Sequence, residues 1–352
     1  MAVRDRARRV RRVVPVLALV LGTCLAVAPL LAQTTTLRVG TIVPLDSKWH
    51  QILQDMGQRW RNASGQKIAL KFFVGTLGDE AELVRKMGLK QIQIAALTSV
   101  GLEKITKDCA ALSIPMLFES NEELDYVRER IEPRLEKSLA AKGYIVLNWG
   151  DGGWVRFFSK RPVKTLAEFK KLKLFTWAGS PETEELYKDA GFDPVPLTPG
   201  EITQSLLSGK IEAFPAPPLG AYGYQWFGLA PNMIDIKFAP IIGGTIITKD
   251  AWEQIDPTLR PTLLKEARAA GDRLKKEIRQ IDDWAIEEMK KRKLVVYTPT
   301  PAQFQEWKQT AEKFYPRIRG DIVQPADFDE VKKLVDEYRA TKKKGAPAAP
   351  KG

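Results

Sequence analysis

The 352-residue chain holds one histidine, His50, and two cysteines, Cys24 and Cys109. A single histidine excludes a histidine-paired serine or cysteine nucleophile elsewhere in the chain, and any metal site built on a histidine cluster. His50 follows Trp49 at the start of a helical stretch, so a surface or pocket-edge position is expected for it. The glycine-rich run Gly150-Asp151-Gly152-Gly153 lacks the Lys-Ser/Thr pair that completes a phosphate loop, and no dinucleotide-binding glycine pattern occurs. Carboxylates are plentiful, but no pair stands out at acid–base spacing. What the chain has in quantity is aromatic surface, with nine tryptophans and fourteen phenylalanines. Trp149, Trp154, Phe157, Phe158, Phe175 and Trp177 crowd into one short region among bases and glycines. Such residues build either a core or the wall of a pocket.

The net charge of +12 raises the question of a nucleic-acid partner. Residues 1–12 carry six arginines against Asp5, a net of +5, and the stretch after Ala340 adds Lys342, Lys343, Lys344 and Lys351, a net of +4. The remainder is 12 − 5 − 4 = +3, so the body offers no basic face of the size a nucleic acid requires. The first 32 residues read as an export signal: a basic start, twenty uncharged residues over 13–32, and a cut after Ala32. The alternatives are a retained membrane anchor and lipidation at Cys24. After cleavage only Cys109 remains, expected as a small buried hydrophobe in an apolar run. Residues 341–352 have the composition of a disordered tail.

Between these ends, strand-like and helical runs alternate. Strands are expected at 37–43, 68–74, 92–98, 144–149, 154–158, 172–176, 211–215, 232–238, 243–249 and 294–298. Ser47 is a good cap for a helix whose Trp49, Ile52, Leu53, Met56 and Trp60 share one face. Further helices are expected from Asp79, over 121–142, near 180–190 and 199–208, and in two short pieces at the end. The longest runs from Pro261 to about Arg292 without internal proline. At 1.5 Å per residue it reaches roughly 45 Å, enough to brace two domains. The β-α-β-α rhythm argues for an α/β protein with a largely parallel sheet covered on both faces.

The order of "LRVGTIVPLDSKWH", "VGTLGDEAELVRKM", "IPMLF", "SKRPVKTLAEFKKLKL" and "GFDPVPLTPGEITQSLLSGKIEA", followed by the long helix, resembles the substrate-binding proteins of the tripartite ATP-independent periplasmic (TRAP) transporters, the DctP family. The resemblance covers nearly all of residues 36–335. It implies a two-lobed periplasmic-binding-protein fold with hinge strands and a long helix bracing both lobes. Lobe I would comprise 36–152 plus 240–285, and lobe II 153–239 plus 286–335. It further implies a periplasmic protein that closes over a small organic ligand and docks on TRAP-type membrane subunits, with no cofactor, no metal and no catalysis.

Carboxylate-binding relatives carry an arginine on the strand eight residues before the proline of "KRP"; here that position is Trp154. A second family arginine falls on Phe175, and the asparagine of the "Asp-Gly-x-Glu-Asn-Pro" segment is replaced within "EAFPAP" by Ala216. Three polar anchors thus become tryptophan, phenylalanine and alanine, and an unpaired dicarboxylate would cost several kcal/mol to enclose there. The expected ligand is therefore aromatic or largely apolar, with one polar end. Trp49, Trp177, Phe214 and Tyr222 are further candidates for the wall, and Glu80 and Thr98 for the polar end. Arg156 shares a strand face with Trp154 and would supply the missing cation if the strand slipped or bulged. The other readings are a periplasmic hydrophobe or lipid carrier serving a different membrane system, and an exported enzyme on the same scaffold.

Overall fold

A computed structural model describes residues 34–178 and 180–345, so the export signal and residues 346–352 of the expected tail lie outside the described residues. Two sheets organise the fold. The first has the order β2 (Ile68–Val74), β1 (Thr35–Thr41), β3 (Ile94–Thr98), β10 (Pro240–Thr248), β4 (Tyr144–Trp154). The second has the order β11 (Val295–Tyr297), β9 (Asn232–Ile234), β5 (Arg156–Ser159), β8 (Ala213–Ala216), β6 (Lys173–Trp177), β7 (Asp193–Leu197). Each sheet is mixed rather than wholly parallel. β10 runs antiparallel to β3 and β4, and β5 runs antiparallel to β8 and β9.

The direction of those two strands follows from the path of the chain. The carboxyl ends of β1, β3, β6 and β8 converge on the space between the sheets. A chain that leaves one sheet at that end and crosses directly must enter the other sheet from the same side, hence in the reverse direction. The chain does this twice, from β4 into β5 through Val155 and from β9 into β10 through residues 235–239. The two crossings are stitched together: Val155 donates its N–H to Ala239 O at 2.9 Å, and Phe238 donates to Val155 O at 3.1 Å.

The long helix, Arg260–Lys291, is the third link. Leu263, Ala267, Leu274 and Ile278 pack in the first-lobe core with Trp60, while Ile286 and Met289 pack in the second-lobe core with Phe158 and Phe214. Trp60 donates its indole N–H to Leu263 O at 2.9 Å, fixing the helix Lys48–Ala63 against it. That helix begins where its sequence says, with Ser47 as a cap accepting the His50 N–H. Asp79 caps Glu80–Gly88 in the same way.

The closing helix, Pro325–Gly345, is longer than the short piece expected and continues into the stretch read as tail. Its Phe328, Val331 and Val335 pack against Leu124, Val127 and Ile131 of Asn121–Ala141, so it lies on the first lobe although 286–335 was assigned to the second. β7 was not foreseen because its "DPVPL" carries two prolines. It is an edge strand, where a missing N–H breaks no ladder. His50 is buried rather than peripheral; Nδ1 accepts the Asp46 N–H at 3.1 Å and the ring stands edge-on to Phe72. Cys109 is buried as expected, its thiol pushed up to about 12 by burial.

Candidate functional site

The space between the lobes is a cleft of about 350 Å³, within the range of small-molecule sites. Its floor is the pair of crossings, including Val155 and Ala239. One wall comes from the carboxyl ends of β1 and β3 with Trp49, and the opposite wall from the ends of β6 and β8 with Tyr224 and Trp226. Convergence of strand ends on a crevice is where open α/β sheets place ligands.

The cleft brings together Trp49, Glu80, Thr98, Phe175, Trp177 and Ala216. Phe175 is fully buried beneath the edge of Trp177, ring centroids 5.0 Å apart. Trp49 donates its indole N–H to Asp151 O at 3.2 Å, so its ring is held against the first-lobe side of the hinge.

Four of the candidates lie elsewhere. Trp154 packs with the first-lobe core and donates its indole N–H to Asn121 Oδ1 at 2.8 Å, on the far side of the crossing. Arg156 is on that same far side: Nε donates to Asp235 Oδ1 at 2.7 Å and Nη1 to Trp154 O at 3.2 Å. The expected alternation is therefore kept, but the residue of the crossing that faces the cleft is Val155. The strand is bulged just before this point. Ile241 pairs with Gly153 and Ile242 with Asp151, which leaves Gly152 as the extra residue. Gly153 adopts φ +94°, and a Cβ on Gly152 would lie 2.5 Å from Ile241 Cγ2. The glycines of "GDGG" thus make the hinge bulge. Phe214 belongs to the second-lobe core, stacked on Phe158 at 5.0 Å. Tyr222 faces Trp284, with the Arg292 guanidinium 5.2 Å from its ring.

The polar groups of the cleft have a distinct character. Glu80 is buried and both its carboxylate oxygens are engaged by Thr98, Oε1 accepting the backbone N–H and Oε2 the hydroxyl, each at 2.6 Å. Burial pushes this carboxyl up to about 7 despite those bonds. Asp151 turns its side chain away from the cleft into an ionic network, 2.5 Å from Arg128 Nη1 and 2.6 Å from Arg279 Nε. Arg279 in turn grips Asp125 with two bonds of 2.8 Å. Two residues along the cleft each carry a buried polar atom without a hydrogen-bond partner, Asn148 Oδ1 and Thr176 Oγ1, and both atoms are sealed from the cleft space. Among the described residues that line the cleft there is no lysine or arginine.

Neither Asn148 nor Thr176 was singled out from the sequence. The signal was present: each is a polar residue inside an otherwise apolar strand, "YIVLNW" and "KLFTW". Buried polar groups without a partner are uncommon in folded proteins. Tyr187, Tyr224, Trp226 and Phe238 also line the cleft and were missed: Tyr187 and Phe238 fall within an expected helix and an expected strand, whose periodicity does not say which face meets the cleft, and Tyr224 and Trp226 lie where no period can be read. No group of three or more His, Cys, Asp or Glu able to hold a metal occurs among the described residues. Nor, among them, is any helix long and apolar enough to cross a membrane.

Two α/β lobes, two strand crossings and a bracing helix around a lined cleft define a periplasmic-binding-protein architecture. The same fold is seen in the sugar-acid-binding protein of Advenella mimigardefordensis in complex with galactonate, with a TM-score of 0.81 over 87% of this chain and 99% of that one. At 16% identity that match speaks for the fold alone. The family model for bacterial extracellular solute-binding protein, family 7 (DctP) matches residues 39–321, and the chain belongs to this family of TRAP solute-binding proteins. The 2,3-diketo-L-gulonate-binding periplasmic protein of Escherichia coli K12 is 24% identical over 66% of this chain and 71% of its own length. An uncharacterized protein of Salmonella typhimurium is 28% identical over 46% of this chain, and the chain spans half the length of that relative.

Proposed function

We propose that the protein is the periplasmic solute-binding component of a TRAP-type importer and that its ligand is largely apolar, with a single uncharged polar end. The observation that carries the finer part is the charge of the cleft. Relatives and solved structures are named for acids, galactonate and 2,3-diketo-L-gulonate among them. Here the described lining carries Glu80 and aromatic rings and holds no lysine or arginine to pair with an anion. An enclosed carboxylate without a partner is disfavoured by several kcal/mol, and a carboxyl at Glu80 adds to that penalty. The neutral polar side chains of the lining, Ser99, Ser113, Thr183 and Thr245 among them, match a group that both donates and accepts a hydrogen bond. Family membership favours an importer over a carrier that serves a different membrane system. The ligand is bound and handed to the membrane subunits unchanged.

The test is a thermal-shift screen of the purified protein with aryl and alkyl alcohols, aromatic acids, keto acids and small dicarboxylates. A ligand at a hundredfold its Kd stabilises by about 2.7 kcal/mol, a rise of several degrees in melting temperature. Rises confined to the alcohols and other neutral amphiphiles are expected. A rise with succinate or galactonate alone overturns the apolar assignment and leaves the solute-binding role standing.

A further inference from the structure

We propose that the cleft opens into an apolar annex that takes the tail of the ligand, so that the solute is an elongated amphiphile, polar at one end and hydrocarbon or aryl-alkyl at the other. The inference rests on the reading just given and sharpens it.

A second cavity of about 220 Å³ adjoins the cleft. Ser99, Ser113, Pro115, Trp177, Tyr187 and Phe238 border both, so the two spaces share one wall. Beyond that wall the annex runs between the helices Pro181–Asp189 and Pro301–Glu312 and ends on Ile318 and Val323. Its far lining is dominated by Ile114, Leu186, Phe192, Trp307 and Phe314. The one carboxyl among its described lining residues, Glu103, lies 3.6 Å from Lys104 Nζ.

The two compartments differ in the polar side chains that line them. The cleft is lined by the polar Glu80, Thr98 and Thr245, none of which borders the annex. A head group held by the polar side chains of the cleft would direct the rest of the molecule past Trp177 and Tyr187. Burying methylenes against this largely apolar lining is favourable.

The experiment measures dissociation constants for unbranched primary alcohols from butanol to dodecanol, by tryptophan fluorescence or calorimetry, on the wild-type protein and on two plugged variants, Ala311→Phe and Thr310→Phe. Both positions line the annex and neither lines the cleft. In the wild type, affinity is expected to rise roughly fourfold per methylene across the series. In each plugged variant the short alcohols should bind within about twofold of wild type, while the gain stops several carbons earlier. If short alcohols bind but the wild-type gain stops at the same length as in the variants, the annex is overturned and the apolar reading stands. If no alcohol binds and an organic acid does, both fall. The length dependence of the wild type decides the matter even where a variant fails to fold.

Discussion

Glu80 is a carboxyl held in an apolar cleft by two short bonds from one threonine. Its pKa is raised from 4.5 to about 7, chiefly by burial. The folded protein therefore keeps a proton that the unfolded chain has lost between roughly pH 4.5 and 7. The stabilising contribution is complete below about pH 4.5 and disappears as the pH rises through 7. Glu80→Gln removes it. Between pH 5 and 8 the wild type should lose roughly 2–3 kcal/mol more stability than the variant, read from denaturant melts at each pH. Parallel losses would show that the group titrates normally. Asp282 is also raised, to about 6 by burial, and works in the same direction, but it is present in both proteins and cancels in the comparison. Phe175 makes the complementary point about the opposite wall. A ring stands where the family resemblance implies an arginine, and no other cation replaces it in the described lining.

At the scale of elements, the hinge depends on where glycine is required. Gly271 faces β4 from the long helix, and a Cβ there would lie 2.4 Å from Trp149 O and 2.8 Å from Asn148 Cβ. By helix propensity alone Gly→Ala gains about 1 kcal/mol. Here the contact is with backbone, and Gly271→Ala should instead destabilise by roughly 1–3 kcal/mol in urea unfolding. A stabilised variant would mean that helix and strand separate readily. The network of Arg128, Asp151, Arg279 and Asp125 joins Asn121–Ala141, β4 and the long helix just beside the bulge. Asp151→Asn leaves Arg128 with Glu132 and Arg279 with Asp125. Losing one member of a buried ionic group should cost roughly 3 kcal/mol, seen as a lower denaturation midpoint with unchanged slope.

Over the whole molecule, the two lobes touch across the cleft mouth as well as through the hinge. Tyr224, stacked on Trp226 with centroids 4.5 Å apart, donates its hydroxyl to Ile42 O on the first lobe. The contact joins a helix end after β8 to the segment after β1, so it exists only while the lobes are together. Tyr224→Phe should change overall stability by no more than about 1 kcal/mol. Its effect belongs to closure: ligand dissociation should accelerate severalfold with little change in association. Stopped-flow fluorescence separates the two rates, and an unchanged dissociation rate would show that the hydroxyl does not hold the closed form.

The sequence by itself determined the α/β class and most element positions. Local signals located the start of Lys48–Ala63 at its Ser47 cap and both ends of Arg260–Lys291 to within one residue, because caps, a first-turn proline and a proline-free run are local properties. β7 and the length of Pro325–Gly345 escaped it, since an edge position and a partner on another helix are tertiary facts. The candidate site divides in the same way. Alternation correctly grouped Trp154 with Arg156 and set Val155 apart, but it carries no information on which face meets ligand. A strand buried on both sides presents apolar residues to both, so composition does not choose between them. Only the tertiary structure decided that, through the bulge at Gly152 and the direction in which the crossing strand enters the second sheet. It also revealed Asn148 and Thr176, whose missing partners are visible only once every neighbouring atom is in place.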